Sequence, residues 1–174
     1  MKKLNYFLKR KLNLYIKNNY NVPVCESENR IAYPRICRSE AFAGDAPMAI
    51  PSARDNLDNA LSKLDESFSD SVLRLIDEKG MSDSQCYKKA GIDRKLFSKI
   101  RSNPQYKPSK STAIALAIAL ELSLDECKSL ISKAGYALSH SNKADVIIEF
   151  FILEKNYDII TINEALFEYD QPLL

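Results

Sequence analysis

The stretch GMSDSQCYKKAGIDRKLFSKIRS, Gly80 to Ser102, reads as two short helices joined by a tight turn. Ser82 with Gln85 three residues on is a reciprocal cap: the hydroxyl accepts from the third N–H and the amide reaches back. Gly91 permits the positive φ that turns the chain, Ile92 supplies an apolar plug, and Asp93 is placed to cap a second helix from Arg94. On that helix Leu96, Phe97 and Ile100 share one face, because residues three and four apart are neighbours. Arg94, Lys95, Ser98, Lys99 and Arg101 then project outward.

Downstream, the run AIALAIAL (Ala113 to Leu120) is apolar on nearly every face and is expected to be the central helix of a bundle. It is too short to span a membrane. Ser123 with Glu126 and Thr161 with Glu164 repeat the reciprocal cap. With these boundaries, residues 66–169 divide into about seven short helices. Val146, Ile147, Phe150, Phe151 and Leu153 mark one with apolar surface to spare, which either closes the bundle or forms a dimer face. Upstream, Phe68, Val72, Leu75 and Ile76 form a helical stripe that Gly80 ends, and Leu57, Ala60, Leu61 and Leu64 form another before it.

Residues 21–56 lose this periodicity and contain Pro23, Pro34, Pro47 and Pro51, so they read as a flexible linker. Before them, Leu4, Phe7, Leu8, Leu12, Tyr15 and Ile16 fall at helical spacing among six Lys/Arg and no acid, a basic amphipathic helix over residues 1–20. Such a helix lies on an anionic surface or docks on a partner. The organisation expected is therefore a basic helix (1–20), a linker (21–56) and an all-α helical domain (57–174), its core motif at 80–102 and its C-terminal helices over 141–169.

The net charge of +2 averages segments of opposite sign. Residues 88–110 hold eight Lys/Arg against Asp93, and residues 144–174 hold seven Asp/Glu against Lys155. The acidic tail is thus a candidate to fold over the basic face and compete with phosphate. Four cysteines (Cys25, Cys37, Cys86, Cys127) without C-x-x-C spacing and one histidine, His140, in a Ser-rich join offer no metal-ligand set and no Cys-His or Ser-His nucleophile system. His140 reads as solvated or capping. No apolar run spans a bilayer and no secretory signal is legible, so a cytoplasmic protein is expected, without cofactor and not an enzyme.

From Gly80 through STAIALAIALELSLDECKSLI (Ser111 to Ile131), the sequence resembles the Cro/repressor family of XRE type, with its lambda-repressor-like helix-turn-helix. The resemblance covers about 65 residues, a five-helix pattern. It implies duplex DNA as partner, transcriptional regulation as consequence and a homodimer as working state. Arg94, Lys95, Ser98 and Lys99 then lie on base edges or phosphates, with Lys88, Lys89, Arg101, Lys107 and Lys110 supplying phosphate attraction. Tyr106, between Pro104 and Pro108, either stacks on nucleic acid or plugs its loop onto the core.

A second resemblance runs through LDESFSDSVLRLIDEKG, DRKLFSKIRSNPQYKPSK, AGYALSHSNK and NEALFEYDQPLL. It is similar to the helix-turn-helix region found C-terminal to macro domains (Appr-1-p processing-like proteins) in bacteria, which implies a non-DNA-binding interaction module of an ADP-ribose-linked system as the alternative function. The basic helix would then correspond to the tail of the upstream domain, and no ADP-ribose-binding residue carries over. Two positions depart from the Cro/repressor pattern. Asp83 replaces a phosphate-touching glutamine, and Tyr87 replaces the alanine of the helix crossing.

Overall fold

A computed structural model describes residues 4–20 and 66–174; the expected linker at 21–56 and the stripe from Leu57 to Leu64 lie outside the described residues. Among the described residues the chain is all-helical: α1 (Tyr6–Asn19), α2 (Phe68–Glu78), α3 (Asp83–Lys89), α4 (Arg94–Ser102), α5 (Lys110–Ala119), α6 (Leu124–Lys133), α7 (Lys143–Leu153) and α8 (Ile159–Glu168). The seven helices expected between residues 66 and 169 are thus present, each bounded by its own local chemistry.

Both central capping boxes form. Ser82 and Ser123 accept from the N–H of Gln85 and Glu126, and the two longer side chains accept from the capping residues' own N–H groups at 2.8 Å. The third expected box does not. α8 begins two residues earlier than Thr161, with Asp158 accepting from Ile160 N–H, and the Thr161 hydroxyl donates to the Asp158 carboxylate at 2.6 Å instead of capping. An ionised carboxylate at the N-cap stabilises the helix start through hydrogen bond and dipole together, and it takes the position from threonine.

α5 occupies the middle. Ala113 to Ala119 are all buried, and α5 packs against α3, α6 and α8. Its alanines let those neighbours approach closely, while Leu116 and Ile118 fill the space between them at about 1.5–3 kcal/mol per buried side chain. α7 is buried from Ala144 to Ile152 and packs on α1, α6 and α8, leaving Leu153 exposed. Of the two roles expected for this helix, closing the bundle is the one observed.

The N-terminal helix packs on that same α7. Leu12 is fully buried, and the Tyr15 ring meets Phe150 at 5.4 Å between centroids. Phe7, counted in the apolar stripe, is exposed instead, with the Lys11 ammonium 5.4 Å from its ring centroid. It sits about 100° round the helix from Leu8, off the face that Leu8 and Leu12 define.

α2 closes the opposite side, against α4 and α6. Here the Glu66 carboxylate accepts from Ser71 Oγ at 2.7 Å, from Arg74 through two nitrogens at 3.1 and 3.2 Å, and from Lys133 Nζ at 2.9 Å. The hydrogen bonds from Arg74, then Lys133, then Ser71 hold this carboxyl at about 2, well below its ordinary 4.5. A depressed carboxyl adds stability above its unfolded pKa and loses it as pH falls through the folded one. Glu66→Gln is therefore expected to destabilise modestly at neutral pH and to flatten the acid limb between pH 4.5 and 2. Urea midpoints measured across that range check this; identical acid limbs would contradict it.

Candidate nucleic-acid interface

α3 and α4 project their outer faces from one frame. Cys86 and Ala90 of the first helix region and Phe97 and Ile100 of the second are buried together. Gly91 takes φ +66°, and the following Ile92, half-buried, donates its N–H to the Tyr87 carbonyl at 2.9 Å. That left-handed residue lets the 6→1 bond form at the helix end, and a side chain there would be strained. Leu96, expected on the buried face, is half-buried at its edge. Asp93 holds the N-cap position of α4 but its carboxylate makes no capping bond, so the first-turn N–H groups of α4 lack an acceptor from the cap side chain.

The residues singled out from sequence divide into two sets. Lys88, Arg94, Lys95, Ser98, Lys99 and Lys107 are exposed, and none of the five cations among them forms an ion pair among the described residues. Lys89, Arg101 and Lys110 are already neutralised. Lys89 Nζ lies 2.5 Å from Glu121, Arg101 pairs with Asp83, and Lys110 Nζ lies 2.6 Å from the buried carboxylate of Asp145. Free attraction for phosphate from these three is therefore corrected downward. Partners 18 to 35 residues away in the chain are invisible to a local charge count.

Tyr87 resolves its crowded position by tilting. Its ring packs on Phe97 at 5.9 Å and 47°, half-buried, and lines an open groove with Asp83, Ser84, Arg94, Ser98 and Arg101. Tyr106 also packs against the core as a half-buried plug, the second of its two expected roles. Of the acidic tail only Asp145 meets the basic segment, through Lys110, and the chain end from residue 157 does not. Glu168 pairs with Lys9, the Tyr169 hydroxyl donates to Asn13 at 2.6 Å, and Glu154 lies 2.8 Å from Lys11, all on α1. Opposite charges do attract here, but the basic N-terminal helix captures the tail.

No protein-family model, curated protein or solved structure matches the chain. The chemistry of the side chains is consequently what bears on its use. Burial pushes the Cys86 thiol up to about 11 and the Cys127 thiol up to about 12, so neither is a thiolate nucleophile at neutral pH. His140, expected to be solvated or capping, is part-buried with Nε2 2.8 Å from the Glu149 carboxylate, which is itself buried on α7. Among the described residues no three His, Cys, Asp or Glu side chains converge as metal ligands, and no helix is long and apolar enough to cross a membrane.

Proposed function

We propose that this chain is a DNA-binding helix-turn-helix protein and a cytoplasmic transcriptional regulator, α3 and α4 forming the motif and α4 entering the major groove. The supporting observation is the set of five exposed cations without ion partners among the described residues on α3, α4 and the loop that follows, Lys88, Arg94, Lys95, Lys99 and Lys107, with Ser98 on α4 as well. The N-terminus of α4, without a side-chain cap, adds first-turn N–H groups and the positive end of a helix dipole where a phosphate would lie. Arg94, Lys95, Ser98 and Lys99 are the base-edge and phosphate candidates, and Lys88 and Lys107 contact phosphate alone.

The partner state proposed is a homodimer. Of the eight large apolar side chains left exposed among the described residues, six lie on α1, α8 and the chain end, Tyr6, Phe7, Leu14, Ile160, Phe167 and Leu173, and none on α3 or α4. Single exposed apolar residues are ordinary, but a group of them supports an association surface.

The test is binding of the full chain to a pool of genomic duplex fragments at several salt concentrations, beside a folded Arg94→Ala/Lys95→Ala/Lys99→Ala variant. Wild type is expected to retain a discrete set of fragments. With five unpaired cations per chain the slope of log K against log salt is expected no steeper than about −4 to −5 per chain. The triple variant should lose selection and flatten the slope to about −2. Equal weak retention of both proteins would overturn the proposal. It would favour the second reading, a protein-interaction module of a macro-domain system, which the carboxylate of Asp83 within the basic face supports.

A further inference from the structure

Asp83, the first residue of α3, and Arg101, in the last turn of α4, face each other across the open groove between the two helices. We infer that Asp83 is an internal stand-in for a backbone phosphate, occupying the Arg101 guanidinium in the free protein so that duplex must compete for it. This deepens the duplex-binding proposal and rests on it.

The other two neutralised cations do not fit this description. The Lys89 partner, Glu121, lies beyond the end of α5, and the Lys110 partner, Asp145, is buried on α7; neither carboxylate lines the groove. Asp83 belongs to the groove wall and neutralises a groove cation in the same place. The tilted stack of Tyr87 on Phe97 fixes the separation of the two helices between them, which keeps carboxylate and guanidinium opposite one another.

The pair is also open to exchange. Arg101 is 63% exposed and Asp83 32%, so water and an incoming phosphate oxygen both reach the guanidinium. Exposed ion pairs of this kind are worth up to roughly fivefold in an equilibrium constant. Phosphate oxygens accept the same charge-assisted hydrogen bonds from the guanidinium that carboxylate oxygens do. Asp83 therefore tunes affinity and leaves binding possible. It withholds one phosphate contact and places a like charge near the backbone of any bound duplex.

These two effects separate in a double-mutant cycle, because plain repulsion by Asp83 persists without Arg101 whereas competition for Arg101 does not. The experiment titrates the full chain, wild type, Asp83→Asn, Arg101→Ala and the double variant, with a fluorescent duplex at low and moderate salt. Asp83→Asn is expected to tighten binding by about fivefold at low salt. Its salt slope should steepen by about 0.9, one further phosphate. In the Arg101→Ala background the slope gain should vanish and the affinity gain should shrink to the smaller part that repulsion alone contributes. An unchanged affinity, or the same gain with and without Arg101, overturns the inference while duplex binding stands. Absence of binding by all four proteins overturns the duplex proposal itself. The pairing is then checked in the free protein, where the Arg101 Nε–H resonance should move in Asp83→Asn; a fixed resonance overturns the pairing as well.

Discussion

Leu12→Ala is expected to destabilise the protein by about 2–5 kcal/mol, as deletion of a fully buried leucine side chain does when the cavity cannot collapse. Leu12 is completely inaccessible between α1 and α7, in an environment that also contains the Tyr15–Phe150 and Phe150–Phe151 ring contacts at 5.4 and 5.6 Å. Aromatic rings fixed by one another relax poorly around a void, which favours the upper part of the range. The Lys9–Glu168 and Lys11–Glu154 pairs that flank the contact are exposed and cannot compensate, since such pairs contribute little. The urea midpoint measures the loss, and a single cooperative transition is expected in both proteins because α1 shares the core with α7. A loss below about 0.5 kcal/mol, the range of surface substitutions, would mean that α1 is not part of the cooperative unit.

That prediction concerns the element whose place is least legible in the sequence. An amphipathic helix shows which face is apolar and is silent about what covers it: α1 reads the same whether docked on α7, on another chain or on a membrane surface. Where the deciding chemistry is local, the sequence is a better guide. The boxes at Ser82 and Ser123 formed as spelled, and the uniformly apolar run Ala113–Ala119 could only lie at the centre.

Helix ends show the same division. Gly80, Gly91 and Gly135 take positive φ after α2, α3 and α6, where a glycine advertises the turn. Glu121, Lys155 and Asp170 take φ of 51°, 54° and 54° after α5, α7 and α8, with the same 6→1 bonds from Leu122 to Ala117, Asn156 to Phe151 and Gln171 to Leu166. Glutamate and lysine carry no turn signal, whereas aspartate tolerates the left-handed region and is a weaker signal than glycine.

The candidate interface was legible as a face and not as a set of free charges. Helical spacing separates Arg94, Lys95, Ser98 and Lys99 from Phe97 and Ile100, and the structure keeps that separation. Which cations remain available depends on partners brought together only by folding. Asp83 reads in sequence as a departure from a phosphate-touching glutamine; in the structure the same residue is the partner of Arg101.

Asp145→Ala is expected to cost about 3–5 kcal/mol, the penalty for removing one member of a buried ion pair. Asp145 is 3% exposed in its side chain, and its Oδ2 accepts both from Lys110 Nζ at 2.6 Å and from the Ser139 N–H at 2.9 Å. Alanine leaves the ammonium and the amide without their acceptor. Lys110 is 30% exposed and regains some hydration on losing its partner, which places the loss toward the lower end of that range. Asp145→Asn retains an acceptor for Ser139 and should recover part of the loss. The apolar pair Asp145→Leu/Lys110→Met should recover most of it, because a buried ion pair costs desolvation that matched hydrophobic side chains avoid. The same double variant decides what Lys110 is for. If its charge serves the fold, the stability of the apolar pair returns in urea titrations and duplex affinity stays at the wild-type value. A tenfold weaker affinity at restored stability would return Lys110 to the interface and show that its ammonium leaves Asp145 when phosphate arrives.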